Sequence, residues 1–258
     1  MKIVVLLKEV PDTFGVRRLN LETGLIDRGS SEPVLDEICE RALEVALAHA
    51  DSSEGVEVDV VTVGPESAEN NVRKALAMGA DSAILVADEG LIGADIGLTA
   101  ETLAKVLQET DYDLIIAGNQ STDGSSGMLA PWLAELLGVP VATNLKSVTI
   151  GDGRVSGEQA GDGVTQEVMV PLPAVISVTE QLPEGRFPNF KGIRAAKKKP
   201  LRVKSLADLG IDPLDMSMPR VVMTSVVEPP PREVGFKLVD DGTAAQQLVA
   251  SLADKRLI

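Results

Sequence analysis

Through its first two thirds the chain alternates short β-branched runs with segments of helical period, and no other feature constrains its fold as tightly. Residues 2–7 (KIVVLL), 58–63, 82–86 and 113–117 read as strands, and between them apolar residues recur at helical spacing. In 34–50, Leu35, Ile38, Cys39, Ala42, Leu43, Ala46 and Leu47 make one stripe, which predicts a helix with Cys39 as a small core residue. Further helices are predicted over 68–78 and closed by Gly79, over 99–110, and over 128–137, closed by Gly138, with Trp132 in the core. Strands and helices joined by short links build right-handed crossovers, and hence a doubly wound, mostly parallel α/β sheet. Aromatic residues are scarce, six in 258, which suits thin helices packed closely on such a sheet.

From Gly151 the pattern changes. The GDG at 151–153 is a turn, 154–159 and 165–170 read as an added hairpin, and 174–179 (AVISVT) as another buried strand. Regular alternation is expected to end near Glu180. The rest passes Pro200, Pro213, Pro219 and the triplet Pro229, Pro230 and Pro231, with helical patterns only at 205–209 and 244–252, and reads as an extended arm. Val222, Met223, Val226, Val227 and Phe236 cannot be buried by such an arm alone, so it must lie on its own core or on another chain. The expected divisions are an α/β core over 1–183, a basic and aromatic segment over 184–204, and the arm over 205–258.

Composition excludes several classes of function. Twenty-four Lys and Arg against 39 Asp and Glu leave a net charge of −15, a repulsive field for nucleic acid. One cysteine, Cys39, and one histidine, His49, leave no disulfide, no zinc or iron cluster and no Ser–His–Asp arrangement. The apolar run at 3–7 is interrupted by Lys8 and Glu9, too short for a signal-peptide core or a membrane span, so a cytoplasmic chain without membrane insertion is expected.

Two segments can carry chemistry. The strand at 113–117 runs into GNQSTDGSSG (118–127) and then a helix. A loop rich in Gly, Ser and Thr before a helix start offers N–H groups, hydroxyls and the positive end of the helix dipole to a phosphate, but it also fits a polar turn with a cap. It has neither a Walker A nor a G-x-G-x-x-G pattern. The stretch 186–204 (RFPNFKGIRAAKKKPLRVK) holds eight of the 24 basic residues and no acidic one, interleaved with Phe187, Phe190 and Ile193. It reads either as a docking loop for an acidic partner or as a solvated charge run over tucked apolar residues. Asp12, Asp36, Asp95 and Asp123 fall near expected strand ends or helix starts, where an aspartate either caps a helix or meets a ligand hydroxyl.

The opening KIVVLLKEVPDT, the VLDEICERALEVAL helix, VTVGPESAENNVRKALAMGAD, IIAGNQSTDGSSGMLAPWLAELLGVP and above all VTEQLPEGRFPNFKGIRAAKKKP together resemble the β subunit of electron transfer flavoproteins, over nearly the whole chain. The resemblance implies a Rossmann-like, adenine-nucleotide-binding fold and an αβ heterodimer holding one FAD, mainly in the α subunit, with structural AMP in the β subunit. It implies electrons accepted from acyl-CoA and related flavoprotein dehydrogenases and passed to a membrane quinone oxidoreductase or another acceptor, so that the flavin and not this chain performs the chemistry. It implies adenine and ribose against Leu6, Pro33, Val34, Leu35, Asp36 and Val63. The phosphate falls at Gly118 and at Asp123, Gly124, Ser125, Ser126 and Gly127, in a loop shorter than that of some relatives. Contacts to the flavin ring fall near Thr13 and Phe14. The partner-recognition set is Arg186, Phe187, Phe190, Ile193, Lys197 and Lys198, with Phe190 as the anchor. Electron-bifurcating members carry a second FAD in place of AMP and a D-T-x-A-T stretch, where this chain has Asp95, Ile96, Gly97, Leu98 and Thr99; the mismatch favours AMP. A stand-alone adenine-nucleotide-binding regulator sharing only the fold is the third reading.

Overall fold

The computed structural model describes residues 1–218, 220–232 and 235–258. Pro219 of the expected arm, with residues 233 and 234, lies outside them. The chain divides into two units, Met1–Thr224 and Ser225–Ile258.

The first unit contains strands β1 (Lys2–Leu7), β2 (Glu9–Pro11), β3 (Pro33–Leu35), β4 (Glu57–Val63), β5 (Ser82–Val86), β6 (Leu114–Gly118), β7 (Val141–Leu145), β8 (Thr149–Gly151), β9 (Arg154–Gly161), β10 (Val164–Pro171), β11 (Ala174–Val178) and β12 (Leu201–Lys204). Its helices are α1 (Glu37–Ser52), α2 (Glu69–Met78), α3 (Ile96–Gln108), α4 (Leu129–Leu137) and α5 (Phe190–Ala196). The second unit contains α6 (Ala244–Asp254), none of whose residues is buried.

Ten strands form one mixed sheet in the order β10-β9-β7-β11-β6-β1-β4-β5-β12, with β8 paired to β9. From β7 to β12 the neighbours are parallel, and the added hairpin β9–β10 joins the β7 edge antiparallel. Successive side chains of a strand face opposite sides, so Ile3, Val5 and Leu7 of β1 pack with α1 and α2, whereas Val4 and Leu6 pack with α3 and α4. The neighbouring strands repeat this division: Leu114, Ile116 and Ile176 face α1, and Ile115, Ala117 and Val175 face α4. The sheet is thus covered on both faces, which is why its strands read as continuous apolar runs. The chain leaves β1 toward α1 on one face and leaves β6 toward α4 on the other, so the carboxyl ends of these adjacent strands flank a topological switch point.

β1 and β5 have the bounds expected from the sequence, and α2 and α4 begin one residue later than expected and stop before Gly79 and Gly138, the latter left-handed at φ 66°. Cys39 is buried in the α1 stripe. Three expectations are corrected. Pro33–Leu35 is strand rather than helix, paired antiparallel with Glu9–Pro11, and α1 starts after Asp36, whose N–H donates to the Lys8 carbonyl. Alternation does not end near Glu180: β12 pairs parallel with β5, its period-two Leu201 and Val203 being masked in the sequence by Arg202 and Lys204. Trp132 is only half-buried, because Ala130, Leu133 and Ala134 occupy the inner stripe of α4. Among the described residues no helix is long and apolar enough to cross a membrane.

Candidate functional site

Above the carboxyl ends of β1 and β6, four segments meet: Lys8 after β1, the start of α1, the excursion between β2 and β3, and the loop between β6 and α4. Gly118 closes β6 directly under the first turn of α1. A Cβ there would lie 2.6 Å from Ile38 Cγ2 and 2.9 Å from Ile38 Cγ1, so only glycine admits this approach. The same approach brings Asp36 to the loop, and its Oδ2 accepts the Thr122 N–H at 2.9 Å. Asp36 is 1% exposed and makes no cap bond to its own helix, and its Oδ1 is buried with no partner among the described residues. Burial raises its carboxyl above the usual carboxylate range, with the Thr122 N–H opposing that rise.

Asp123 turns inward, its side chain only 4% exposed. Its Oδ1 accepts from Lys8 Nζ at 2.6 Å and its Oδ2 from Arg28 Nη2 at 3.3 Å, while Lys8 also reaches Ser121 Oγ at 3.1 Å. Arg17 holds the adjoining residue, donating to the Thr122 carbonyl, to Thr122 Oγ1 at 3.2 Å and to the Pro11 carbonyl at 3.1 Å. Burial alone would raise the Asp123 carboxyl; the Lys8 hydrogen bond and charge, with Ser121 and the Gly124 N–H, outweigh it and hold the group at about 2. A carboxyl depressed in the folded state contributes stability above its unfolded value near 3.8 and loses it as pH falls toward 2. Asp123→Asn is therefore expected to lower the melting temperature most at pH 5 and above, and the gap from wild type should close between about pH 4 and pH 2. Melting curves across that range check it, and a gap independent of pH would contradict it.

Beyond Asp123 the loop turns its backbone outward. Ser125 at φ 49° and Gly127 at φ 65° are left-handed, and the Ser125 hydroxyl is used within the loop, donating to the Ser121 carbonyl. Among the described residues no side chain caps α4. The N–H groups of Ser126, Gly127, Met128, Leu129 and Ala130 have no acceptor among the described residues. Consecutive N–H groups of this kind at the positive end of a nine-residue helix are chemically suited to an anion.

The other expected nucleotide contacts are distributed around this crevice. Leu6 lies in the α3–α4 core and Leu35 in the α1 core, so their side chains occupy opposite faces. Val63 is half-buried at the end of β4, Val34 half-buried in β3, and Pro33 exposed. Thr13 and Phe14 are exposed in the turn after β2, where Asp12 accepts the Phe14 N–H at 2.9 Å. Asp95 caps α3 through the Leu98 N–H at 2.8 Å, and its other oxygen accepts the Val221 N–H at 2.6 Å. Lys8, Arg17, Arg28, Ser121 and Thr122 are contributors that sequence reasoning missed. Ser121 and Thr122 carry a local signal as hydroxyls of the Gly-, Ser- and Thr-rich loop, and Lys8 as a cation placed immediately after an apolar strand; the two arginines lie in an excursion without periodicity.

The basic segment is ordered around α5. Phe187 is 92% and Phe190 94% exposed, Ile193 is 47% exposed, and Lys197 and Lys198 face outward. Arg186 does not: its Nε and Nη2 meet the two carboxylate oxygens of Glu44 on α1 at 2.8 Å each, and its Nη1 meets Asp51 at 2.8 Å. Among the described residues no group of three or more His, Cys, Asp or Glu is arranged to hold a metal ion.

The Electron transfer flavoprotein domain family matches residues 23–209. The chain is 41% identical to electron transfer flavoprotein subunit beta of Mycobacterium tuberculosis, over 99% of both chains. It is 34% identical to the protein of that name from Bacillus subtilis, over 98% of this chain and 97% of the other. It is 32% identical to the caffeyl-CoA reductase-Etf complex subunit CarD of Acetobacterium woodii, over 99% of this chain and 97% of the other. A family match over most of the chain, a full-length identity of 41% and a mostly parallel α/β sheet identify the chain as a member of the electron transfer flavoprotein family, of the beta-subunit type.

Proposed function

We propose that this chain is the β half of an αβ heterodimer that carries electrons on one FAD held mainly by the α subunit, and that it binds AMP in the crevice above β1 and β6. The observation that carries the nucleotide reading is the uncapped start of α4, with five successive N–H groups lacking acceptors among the described residues. Asp123 offsets one of the two charges of Lys8 and Arg28, so one unit of positive charge remains beside the backbone donors and the helix dipole to meet a phosphate. The buried, unpartnered Asp36 Oδ1 suits a donor such as a ribose hydroxyl, near Leu6, Pro33, Val34, Leu35 and Val63.

The flavin, when bound, supplies the redox chemistry. This chain's residues supply position: the exposed Thr13 and Phe14 toward the flavin held by the partner subunit, and the arm from residue 205 onward around that subunit. Reduced acyl-CoA and related flavoprotein dehydrogenases dock on 184–204, with Phe190 as the anchor, and a quinone oxidoreductase or another acceptor receives the electrons. The setting is cytoplasmic.

A second reading is a subunit of an electron-bifurcating, NADH-using flavoprotein with a second FAD in place of AMP. Against it, Ile96 and Leu98 stand where the D-T-x-A-T stretch of bifurcating members has Thr and Ala, while Asp95, common to both, caps α3 through the Leu98 N–H. Co-expression with the α subunit, denaturation and quantification of released nucleotides decides between them. One FAD and one AMP per heterodimer is expected; two FAD and no AMP would overturn the carrier reading.

A further inference from the structure

The lysine run Lys197, Lys198 and Lys199 looks like a block of equivalent surface charges, but the structure divides it. Lys197 and Lys198 are exposed and have no side-chain partner among the described residues. Lys199 turns onto the end of α2, where its ammonium donates to the carbonyls of Leu76 at 3.1 Å, Gly79 at 3.0 Å and Ala80 at 2.6 Å. A helix leaves its last carbonyls unpaired at the negative end of its dipole, and all three N–H bonds of the ammonium are spent there.

α2 returns the contact. Arg73 Nη1 donates to the carbonyls of Ala196 and Lys199, each at 3.0 Å, at the end of α5. Between these two ties Gly192 lies so close to the Ala77 carbonyl that any Cβ would overlap it, and Ala196 is buried. Asn189 caps the front of α5 by accepting the Gly192 N–H at 2.8 Å. α5 has seven residues, too few to persist as a helix on propensity alone. Its Phe190 is almost wholly exposed and its Ile193 only half-covered, so its shape depends on these tethers.

We propose that Lys199 and Arg73 are positioning residues for docking: by exchanging hydrogen bonds between the ends of α2 and α5 they present Phe190 and Ile193 as a fixed apolar pair, while Lys197 and Lys198 supply steering charge only. The proposal rests on the docking role given to 184–204 above. It separates neighbours in one lysine run by a measurable property, because steering by an exposed charge is screened by salt and a positioning contact is not.

The test uses the full heterodimer. Hydrogen exchange over 190–198 is followed by mass spectrometry, and flavin reduction by an acyl-CoA dehydrogenase, itself reduced with its acyl-CoA substrate, is timed at low and high salt. Lys199→Gln and Arg73→Gln are expected to speed exchange over α5 and to slow flavin reduction at every salt concentration, each about tenfold, the worth of one charged hydrogen bond. Arg73→Lys, which keeps a donor toward the same carbonyls, is expected to retain most of the protection. Lys198→Gln is expected to slow reduction at low salt only, with exchange unchanged. Unchanged exchange in both Lys199→Gln and Arg73→Gln, or a rate loss confined to low salt, would overturn the positioning role. An unchanged rate in Phe190→Ala would instead overturn the docking reading, so the two failures are distinguishable.

Discussion

Phe190→Ala is expected to slow reduction of the heterodimer by a partner dehydrogenase roughly thirtyfold, at unchanged FAD and AMP content and unchanged melting temperature. The ring is 94% exposed on a helix whose backbone is held independently of it, so its removal leaves no cavity. An aromatic anchor that becomes fully desolvated in a complex is worth about 2 kcal/mol or more, and each 1.4 kcal/mol is about a factor of ten. Phe187→Ala tests the neighbouring ring, which precedes the cap of α5, and is expected to cost less. The measurement is stopped-flow flavin reduction against dehydrogenase concentration. A loss in the concentration-dependent step supports an anchor, and unaltered electron transfer would refute it.

Gly118→Ala is expected to empty the nucleotide site and to destabilise the fold together. The new methyl would lie 2.6 Å from Ile38 Cγ2, 2.9 Å from Cγ1 and 3.2 Å from Cβ, so the root of the isoleucine and not merely its tip must move. Overpacking of this kind costs roughly 1–3 kcal/mol. Because Ile38 sits in the first turn of α1, its displacement carries Asp36 away from the Thr122 N–H and loosens the loop that leads into α4. Released AMP per heterodimer should fall well below one, with a lower melting temperature. Gly151→Ala, at a glycine with nothing within 4 Å of the added atom, is the control and should change neither. Full AMP retention in Gly118→Ala would show that the approach of α1 does not shape the site.

Legibility differed between parts of the molecule for identifiable reasons. β1 and β5 were readable because a strand buried on both faces has to be apolar at every position. α2 and α4 were readable because Gly79 and Gly138 stop them where the backbone turns to positive φ. β12 was not, since this four-residue edge strand packs only Leu201 against the core, leaves Val203 exposed, and lets Arg202 and Lys204 be read as a charge run. α5 was not, since seven residues that bury only Ala196 and leave Phe190 exposed give no amphipathic stripe to read. Arg186 carried no mark distinguishing it from the other cations of its segment; only the position of Glu44 and Asp51 on α1 sets it apart.

Local chemistry therefore settled the α/β class, the turns and the loop rich in Gly, Ser and Thr, because periodicity and glycine conformation act over a few neighbouring residues. The family resemblance rested on the same linear record. Which residues act together was decided by tertiary structure. Lys8, Arg28, Asp36 and Asp123 span 115 positions between the first and the last, and they meet because β1 and β6 are adjacent at the switch point. Lys199 differs from Lys198 only in where the end of α2 lies. Hydrogen bonds and ion pairs act over about 3 Å in space whatever the separation along the chain, so their partners become defined only once the sheet order brings them together.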